Sequence, residues 1–332
     1  MKAIIPVAGT GKRLRPLTYT QPKPLIAVAG KPIISFIIDQ LLEVGVTDFV
    51  FIIGYLGEKI RDYITTAYPD LNSAFVNQDE RMGSAHAIWL GREYYADANE
   101  LFIFFGDAII DADLQKFIES PESCIGVQRV EDPRKFGVVE IDDDGRITRL
   151  VEKPSIPLSN LAMVGCYKVK EVNRFIEACA YNLDNGVQSI GEYPLTDALE
   201  QMRRWGIELK PITVEHWFDC GRKEILLETN ATFLARPGFG DDDPPPYDNS
   251  IIVHPVRIGE NCKIHNSIIG PNVTIGANTV IEDAIVNNSI IGDYAQIREI
   301  ILSQSVVGND ASIRGVHKSL NIGDNTEIDL GV

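Results

Sequence analysis

The sequence predicts an α/β domain with a Rossmann-like, mixed and mostly parallel sheet, followed by a β-helix. Three features of the chain lead to this prediction. Short apolar runs alternate with helical patterns in the first third, a Pro- and Asp-rich stretch later interrupts all periodicity, and an aliphatic–glycine repeat follows it. Alternating strands and helices are typical of βαβ units, and short repeats of this kind are typical of stacked β-coils.

Four apolar runs near the start are predicted strands, and each is followed by a helical pattern. The predicted strands are residues 3–7, 49–53, 75–76 and 101–105, and the predicted helices are residues 33–44, 59–66, 84–95 and 114–118. Apolar residues of the first helix fall on one face, which suits packing on a sheet. The loops at the carboxyl ends of parallel strands are then expected to form the site.

Strand signals become more frequent after residue 125. Residues 136–141 and 146–152 flank an Asp-Gly pair, which is typical of a hairpin turn. Residues 195–204 are predicted to be helical, and residues 214–218 are predicted to form a strand. We therefore place one domain at residues 1–235.

Residues 236–249 are a predicted linker, and residues 250–332 are a predicted β-helix. The linker holds three consecutive aspartates, which repel one another, and three consecutive prolines, which have no backbone N–H. Beyond it, Ser267, Ser289 and Ser305 each begin the pattern Ser-[Ile/Val]-[Ile/Val]-Gly. We expect the aliphatic residues inside and the glycines at corners, and spacings of 22 and 16 residues indicate imperfect coils.

Composition excludes several classes of protein. Of 332 residues, 45% are apolar and 23% are charged, as in ordinary globular proteins. The net charge of −16 disfavours nucleic acids and anionic membranes as partners. The five cysteines are scattered without metal-ligand spacing, and the first apolar run is too short for a signal-peptide core. We expect reduced thiols and a cytoplasmic location.

Residues 8–18 form the most informative motif, Ala-Gly-Thr-Gly-Lys-Arg-Leu-Arg-Pro-Leu-Thr, directly after the first predicted strand. Gly9 and Gly11 lack a Cβ, so backbone N–H groups can approach a phosphate closely. The spacing fits neither a P-loop nor a dinucleotide fingerprint. Four positive charges accompany the glycines: Lys12, Arg13, Arg15 and Lys23. The motif predicts a polyphosphate-binding loop, and the alternative is a solvated basic loop.

This segment resembles the signature of the sugar-1-phosphate nucleotidylyltransferases, G-G-x-G-T-R-L-x-P-x-T followed by K-P. The likeness continues in order through Gln78 with Gly83 and through residues 105–107, 136–140, 151–154, 165–167 and 217–221. The chain departs from the signature by one missing glycine and by Lys12 where the family usually has Thr. The C-terminal repeat resembles the left-handed β-helices of hexapeptide-repeat proteins.

The resemblance implies roles for the residues that would handle phosphate and metal. Arg13 would bind the leaving pyrophosphate and Lys23 the α-phosphate, while Gly9 and Gly11 would offer backbone amides. Asp107 and Asp219, each after a predicted strand, would share one Mg²⁺. A turn or helix cap is the alternative for each aspartate.

The resemblance also implies which residues recognise the base and the sugar. Ala8 would line the floor under the base, and Gln78 and Gly83 would favour a pyrimidine. The sugar phosphate would contact four residues: Gly137, Glu152, Lys153 and Met163. Glu152 and Lys153 could instead be an exposed pair at a strand end, and Thr196 could be a helix N-cap. His86 is expected to pack rather than to act in catalysis.

The expected reaction is transfer of a nucleotidyl group from dTTP or UTP to a hexose 1-phosphate, with glucose 1-phosphate favoured and Mg²⁺ as cofactor. A mannose-1-phosphate guanylyltransferase and a non-catalytic nucleotide-sugar-binding regulatory homologue are alternatives. A bifunctional enzyme with acyltransferase activity is a third. We expect a homo-oligomer whose β-helix serves assembly or regulation.

Overall fold

The computed structural model describes residues 1–241 and 245–315. The chain divides into two compact units, and the second begins at Asn230. Among the described residues, none of the helices combines the length and the apolar character that a membrane crossing requires. The predicted boundaries at residues 235 and 250 stay predictions.

The first unit contains thirteen strands and most of the helices. Its strands are β1 (Lys2–Val7), β2 (Ala27–Val28), β3 (Lys31–Pro32), β4 (Asp48–Ile53), β5 (Asn72–Asn77), β6 (Leu101–Phe104), β7 (Ile109–Asp111), β8 (Ser123–Arg129), β9 (Gly137–Ile141), β10 (Ile147–Glu152), β11 (Leu161–Val169), β12 (Leu209–Thr213) and β13 (His216–Phe218). Its helices are α1 (Ile33–Glu43), α2 (Gly57–Ala67), α3 (Ser84–Leu90), α4 (Leu114–Glu119), α5 (Val172–Asp184) and α6 (Leu195–Arg204), and α7 (Lys223–Leu234) spans the boundary.

The main sheet follows the order β10-β9-β11-β6-β1-β4-β5, with β8 joined to β11 and β12 joined to β8. β1 is parallel to β4 and β6, and β4 is parallel to β5. β11 runs antiparallel to β6, β8 and β9. The predicted mixed, Rossmann-like sheet is therefore confirmed, and the parallel strands β1, β4 and β6 end at one edge.

Apolar side chains cover both faces of this sheet. Ile4 of β1 belongs to a core that α3, α5 and α6 also enter, whereas Ile5 belongs to the opposite core with α1 and α2. Successive residues of a strand point to opposite faces, so a strand buried on both sides is apolar throughout. This explains why the predicted strands are continuous apolar runs.

The predicted helix at residues 84–95 is wrong in its second half. The α-helix ends at Leu90, and a 3₁₀ turn over Arg92–Tyr94 follows. Gly91 approaches β4 so closely that a Cβ there would lie 2.9 Å from the Ile52 Cδ1 atom. Tyr95 is fully buried and its hydroxyl donates to the Ile88 carbonyl at 2.8 Å. Packing against the sheet therefore ends the helix early.

The hairpin predicted around the Asp-Gly pair is confirmed, because β9 and β10 pair antiparallel. Gly145 has a φ of +78°, a conformation that residues with a Cβ rarely adopt.

The second unit is a parallel β-helix with three faces. Its strands are β14 (Ile251–Ile252), β15 (Val256–Ile258), β16 (Lys263–His265), β17 (Ile268–Ile269), β18 (Val273–Ile275), β19 (Val280–Glu282), β20 (Ile285–Asn287), β21 (Ile290–Ile291), β22 (Gln296–Arg298), β23 (Ile301–Ser303), β24 (Val306–Val307) and β25 (Ser312–Arg314). Each face is a four-stranded sheet: β14-β17-β20-β23, β15-β18-β21-β24 and β16-β19-β22-β25. The predicted β-helix is confirmed.

The interpretation of imperfect coils is wrong. Ile251, Ile268, Ile285 and Ile301 lie in register on one face, so each coil has 16 or 17 residues. Ser267 precedes β17 on this face, whereas Ser289 and Ser305 precede β21 and β24 on another face. The 22-residue spacing therefore reflects a change of face. Parts of two predicted segments lie outside the described residues: residues 242–244 of the linker and residues 316–332 of the β-helix.

Candidate functional site

The loop after β1 is folded tightly around Gly11. This glycine has a φ of +62°, and a Cβ on it would lie 2.8 Å from the Thr18 Cγ2 atom. The Thr18 hydroxyl donates to the Gly11 carbonyl at 2.9 Å, and the chain continues through a 3₁₀ turn, Lys12–Leu14. Within the described part of the chain, the N–H groups of Gly9, Thr10 and Gly11 donate to no protein acceptor. They can therefore receive an anion.

A first cavity of about 560 Å³ opens beside this loop. The residues predicted to bind the nucleotide all line it: Ala8, Gly9, Gly11, Gln78 and Gly83. Arg13, Lys23 and Asp107 line it too. The sheet explains this convergence, because the loop follows β1, Gln78 follows β5 and Asp107 follows β6 at the carboxyl ends of parallel strands.

A second cavity of about 690 Å³ contains the residues predicted to bind the sugar phosphate: Gly137, Glu152, Lys153 and Met163. It also contains Asp219. Arg13, Ser84, Phe105 and Asp107 line both cavities. Two molecules bound in the two cavities would therefore meet beside Arg13 and Asp107.

A cluster of opposite charges lies near the junction of the cavities. The Lys23 side chain is buried, and its Nζ atom lies 3.1 Å from the Asp107 Oδ2 atom and 3.5 Å from the Asp219 Oδ1 atom. The Arg13 Nη2 atom lies 3.6 Å from the Asp219 Oδ2 atom. Two carboxylates thus compensate one buried ammonium, as a buried charge requires.

The two aspartates fit a magnesium ion. Both place an oxygen atom within reach of the same Lys23 Nζ atom, so one cation can contact both carboxylates. Mg²⁺ usually binds one or two carboxylates and keeps several waters. Among the described residues, no group of three or more His, Cys, Asp or Glu side chains could hold a metal. Asp107 and Asp219 together offer such a pair of carboxylates.

Glu152 lines the second cavity. Its Oε2 atom accepts a hydrogen bond from the Thr196 hydroxyl at 2.6 Å, and its Oε1 atom lies 3.2 Å from the Lys153 Nζ atom. Gly137 leaves space for this group, because a Cβ there would lie 2.8 Å from the Thr196 Oγ1 atom. The N-cap alternative for Thr196 is wrong: the cap residue of α6 is Pro194, and the Thr196 side chain binds Glu152 instead.

Comparison with protein families identifies the architecture. A model described as nucleotidyl transferase matches residues 2–236, and a model described as GlmU-like, C-terminal hexapeptide matches residues 247–297. The chain belongs to the nucleotidyl transferase family. It is a sugar-phosphate nucleotidyltransferase with a hexapeptide-type C-terminal unit.

Curated relatives of this nucleotidyltransferase cover both units. It is 32% identical over 316 residues to a glucose-1-phosphate thymidylyltransferase of Streptomyces antibioticus, covering 90% of this chain and 84% of the relative. The chain is 28% identical over 318 residues to the low-salt glycan biosynthesis nucleotidyltransferase Agl11 of Haloferax volcanii, and this match covers 88% of this chain and 87% of the relative. The chain is 32% identical over 312 residues to the bifunctional protein GlmU of Methanococcus vannielii, and this match covers 87% of this chain and 72% of the relative.

Solved structures match the nucleotidyltransferase unit. A Bacillus anthracis protein assigned as a glucose-1-phosphate thymidylyltransferase, solved in complex with a sucrose, superposes with a TM-score of 0.60 at 26% identity, covering 70% of this chain and 94% of that chain. A UDP-glucose pyrophosphorylase complexed with UDP-glucose superposes with a TM-score of 0.60 at 22% identity, and this match covers 70% of this chain and 97% of that chain. The second match concerns the fold alone.

The nucleotidyltransferase site includes residues that the sequence did not single out. Arg81 and Glu192 line the first cavity, and Arg222 lines the second. His86, which was expected only to pack, has its Nδ1 atom 3.3 Å from the Gln78 Nε2 atom. None of the motifs identified in the sequence includes Arg81, Glu192 or Arg222, so the sequence gives no signal for their place in the cavities.

The cysteines play no visible part in this chemistry. All five are free, and burial raises the pKa of Cys220, next to Asp219, to about 12. A thiol with such a pKa stays protonated near neutral pH and is a poor nucleophile or metal ligand.

Proposed function

We propose that this nucleotidyltransferase uses dTTP or UTP and glucose 1-phosphate, and releases pyrophosphate with the nucleotide sugar. The observation that carries the proposal is that two cavities share Arg13 and Asp107. The first has a glycine loop with free backbone N–H groups, and the second has Glu152 and Lys153. One cavity is suited to a triphosphate and the other to a sugar phosphate.

The reaction needs alignment and charge compensation more than proton transfer. A phosphate monoester has a second pKa of about 6, so the sugar phosphate is mostly dianionic at neutral pH and can attack without a general base. The protein then has to bring two anions together and stabilise the charge of the transition state. In the proposal, Arg13 binds the leaving pyrophosphate and Lys23 the α-phosphate, while Gly9 and Gly11 offer N–H groups.

Asp107 and Asp219 would hold Mg²⁺ in this proposal. The ion, when bound, would neutralise phosphate charge. The contact of Lys23 with both carboxylates puts the phosphate-binding ammonium next to the ion site. Lys23 would therefore also fix the positions of the two carboxylates.

Glu152 would bind sugar hydroxyl groups. Each of its oxygen atoms has one protein partner, Thr196 or Lys153, and a carboxylate oxygen can accept a second hydrogen bond. Lys153 is half-exposed and can turn to the sugar phosphate. Gly137 would offer its backbone, and Met163 would line the sugar. Ala8, Gln78 and Gly83 would bind the base, and similarity to a thymidylyltransferase supports a pyrimidine.

The experiment is a screen of nucleoside triphosphates against sugar 1-phosphates, followed by pyrophosphate release. Four triphosphates, dTTP, UTP, GTP and ATP, would be combined with glucose, galactose, mannose and N-acetylglucosamine 1-phosphates. We expect the highest kcat/KM for dTTP or UTP with glucose 1-phosphate. The highest value for GTP with mannose 1-phosphate would overturn the substrate assignment. Binding without turnover would indicate a regulatory homologue.

A second candidate function concerns the β-helix. Its match to the GlmU-like hexapeptide model and the relatives named bifunctional favour a further activity in this unit. Consumption of acetyl-CoA in the presence of an amino-sugar phosphate would demonstrate an acyltransferase, and no consumption would exclude that activity.

The proposal includes a cytoplasmic homo-oligomer. Five free cysteines suit a reducing compartment. Ile251, Ile268 and Ile301 lie in register and exposed on one face of the β-helix, which supports association through this face.

A further inference from the structure

The Gln78 side chain is held between two acceptors at the edge of the first cavity. It is 7% exposed, and its backbone N–H donates to the Ile53 carbonyl at 2.8 Å. Its Nε2 atom lies 3.2 Å from the Gly83 carbonyl oxygen and 3.3 Å from the His86 Nδ1 atom. Both contacts therefore involve the same end of the amide.

The Gly83 carbonyl decides which way the amide points. A carbonyl oxygen only accepts hydrogen bonds, so the Gln78 atom facing it must be the amino nitrogen. Gly83 itself is immobilised by Tyr193: its φ is +114°, and a Cβ on it would collide with the Tyr193 backbone. The Ala85 N–H also donates to the Tyr193 carbonyl at 2.9 Å. The acceptor that orients Gln78 is thus part of a rigid turn.

His86 takes the second N–H of this amino group. Its Nδ1 atom can accept only when the ring is neutral and carries its proton on Nε2. Burial lowers the pKa of His86, against the opposite effect of Glu80, so the ring is neutral at pH 7. With both N–H groups occupied, rotation of the amide would set its oxygen against two acceptors.

The Gln78 oxygen is consequently the atom available to a ligand. Within the described part of the chain it accepts no hydrogen bond, and it is not among the buried polar atoms that lack a partner. Gln78 lines the first cavity. An accessible carbonyl oxygen there favours a base with an N–H at the facing edge, as thymine and uracil have at N3. Cytosine has an acceptor at that position.

We propose that His86 is a positioning residue that fixes the amide of Gln78 with its oxygen toward the cavity, and that it thereby selects thymine or uracil over cytosine. This inference rests on the proposed use of a pyrimidine triphosphate. His86 is not among the residues that line the cavity, so it acts on the base through Gln78.

The test compares kcat/KM for UTP with that for CTP in His86→Leu and His86→Asn, at saturating sugar 1-phosphate. His86→Leu removes one of the two acceptors that oppose rotation of the amide and leaves only the Gly83 carbonyl, so the UTP-to-CTP ratio should fall about tenfold, the worth of one hydrogen bond. The change should appear in the KM for the triphosphate rather than in kcat. His86→Asn retains an acceptor and should keep the ratio close to the original one.

Two results with the variants would overturn the inference. One is an equal loss of kcat/KM for UTP and for CTP in His86→Leu, which would indicate a packing role alone. The other is an equal fall of the UTP-to-CTP ratio in His86→Leu and His86→Asn. A protein that uses UTP and CTP equally well before mutation would also contradict it. If the unmodified protein turns over no pyrimidine triphosphate with any sugar 1-phosphate, the proposed function itself fails.

A measurement on the unmodified protein avoids dependence on the folding of a variant. Nitrogen-15 NMR distinguishes the tautomers of a histidine ring, and His86 is one of five histidines in the chain. We expect an unprotonated Nδ1 and a protonated Nε2 at pH 7. A proton on Nδ1 would overturn the inference, because that atom could then not accept from Gln78.

Discussion

Single residues of opposite charge lie together where the two cavities meet. Lys23 is only 5% exposed and contacts two carboxylates, whereas Arg13 is exposed and contacts Asp219 from the cavity side. A buried ammonium is held in place by its partners, while an exposed guanidinium is free to follow a ligand. The two cations are therefore suited to different phosphates of one nucleotide.

Arg13→Ala should lower kcat/KM by about 10²–10³, because in the proposed mechanism it removes the cation that stabilises charge developing on the leaving pyrophosphate. Arg15→Ala is the matched control, since Arg15 lies in the same loop but stacks on the Tyr19 ring, 4.9 Å from its centroid. Steady-state pyrophosphate release measures both variants. An equal loss of kcat/KM in the two variants would show that activity depends on the total positive charge of the loop rather than on the position of Arg13.

Asp219→Asn should raise the Mg²⁺ concentration needed for half-maximal activity by about tenfold or more, since one anionic ligand becomes neutral. Titration of activity with Mg²⁺ tests this expectation. Asp62→Asn on α2 has the same change of charge at an exposed position and should not alter the titration. An unchanged midpoint in Asp219→Asn would remove this residue from the ion site.

At the scale of elements, the second cavity depends on contacts between segments that are far apart in the chain. Thr196 in α6 donates to Glu152 at the end of β10, and Lys153 follows directly with a φ of +40°. The hydroxyl fixes one carboxylate oxygen and leaves its remaining lone pairs for a ligand. α6 therefore supports the cavity without itself needing to touch the reacting atoms.

Thr196→Val should raise the KM for the sugar 1-phosphate several-fold, about 1 kcal/mol in binding, because the Glu152 carboxylate loses its orienting donor. Thr196→Ser keeps the hydroxyl and should restore most of the affinity. Initial rates at varied sugar 1-phosphate and fixed triphosphate measure the effect. A rise in the KM for the triphosphate alone would contradict the placement of the sugar in the second cavity.

At the corners of the β-helix, the backbone adopts the left-handed conformation, and the residue in that conformation is often an asparagine. Asn266 has a φ of +48°, and its side chain bonds to Asn249 and Asp283 in neighbouring coils. Asn266→Ala and Asn266→Gly both remove these bonds, but only alanine opposes the left-handed conformation, by about 1–2 kcal/mol. Thermal unfolding of the full chain should show a lower transition temperature for Asn266→Ala. Identical curves would contradict this account.

The whole molecule combines a net charge of −16 with a small cationic site. The general field disfavours large polyanions, whereas the basic loop after β1 offers local positive charge to a small anion. The β-helix adds a second surface of different character, the exposed isoleucine column that begins at Ile251.

Ile268→Asp should dissociate the proposed oligomer, because it places a charge in the middle of this column. Sedimentation velocity should show a smaller species, whereas Gln296→Asp on another face should leave the assembly intact. A single species of unchanged size in both variants would exclude the isoleucine face as the interface.

The sequence was informative where local chemistry decides structure. The glycine loop, the four apolar strands near the start and the Asp-Gly hairpin depend on residues close together in the chain, and the sequence predicts each of them, whereas β8, β11 and β12 are not predicted. The end of α3 was missed because Ile52, in another element, determines it, and the Thr196–Glu152 bond was missed because it joins distant segments. The roles of the predicted site residues stay predictions until the variants are measured.

The buried ammonium of Lys23 gives the resting protein an internal counterion. Since Asp107 and Asp219 already pair with Lys23, and Asp219 also with Arg13, chelation of divalent ions should abolish the proposed turnover without destabilising the fold. Calorimetry with and without EDTA should then give superimposable melting profiles. In the proposed mechanism, the fold would then stay intact without magnesium, and activity would return when the ion is added back.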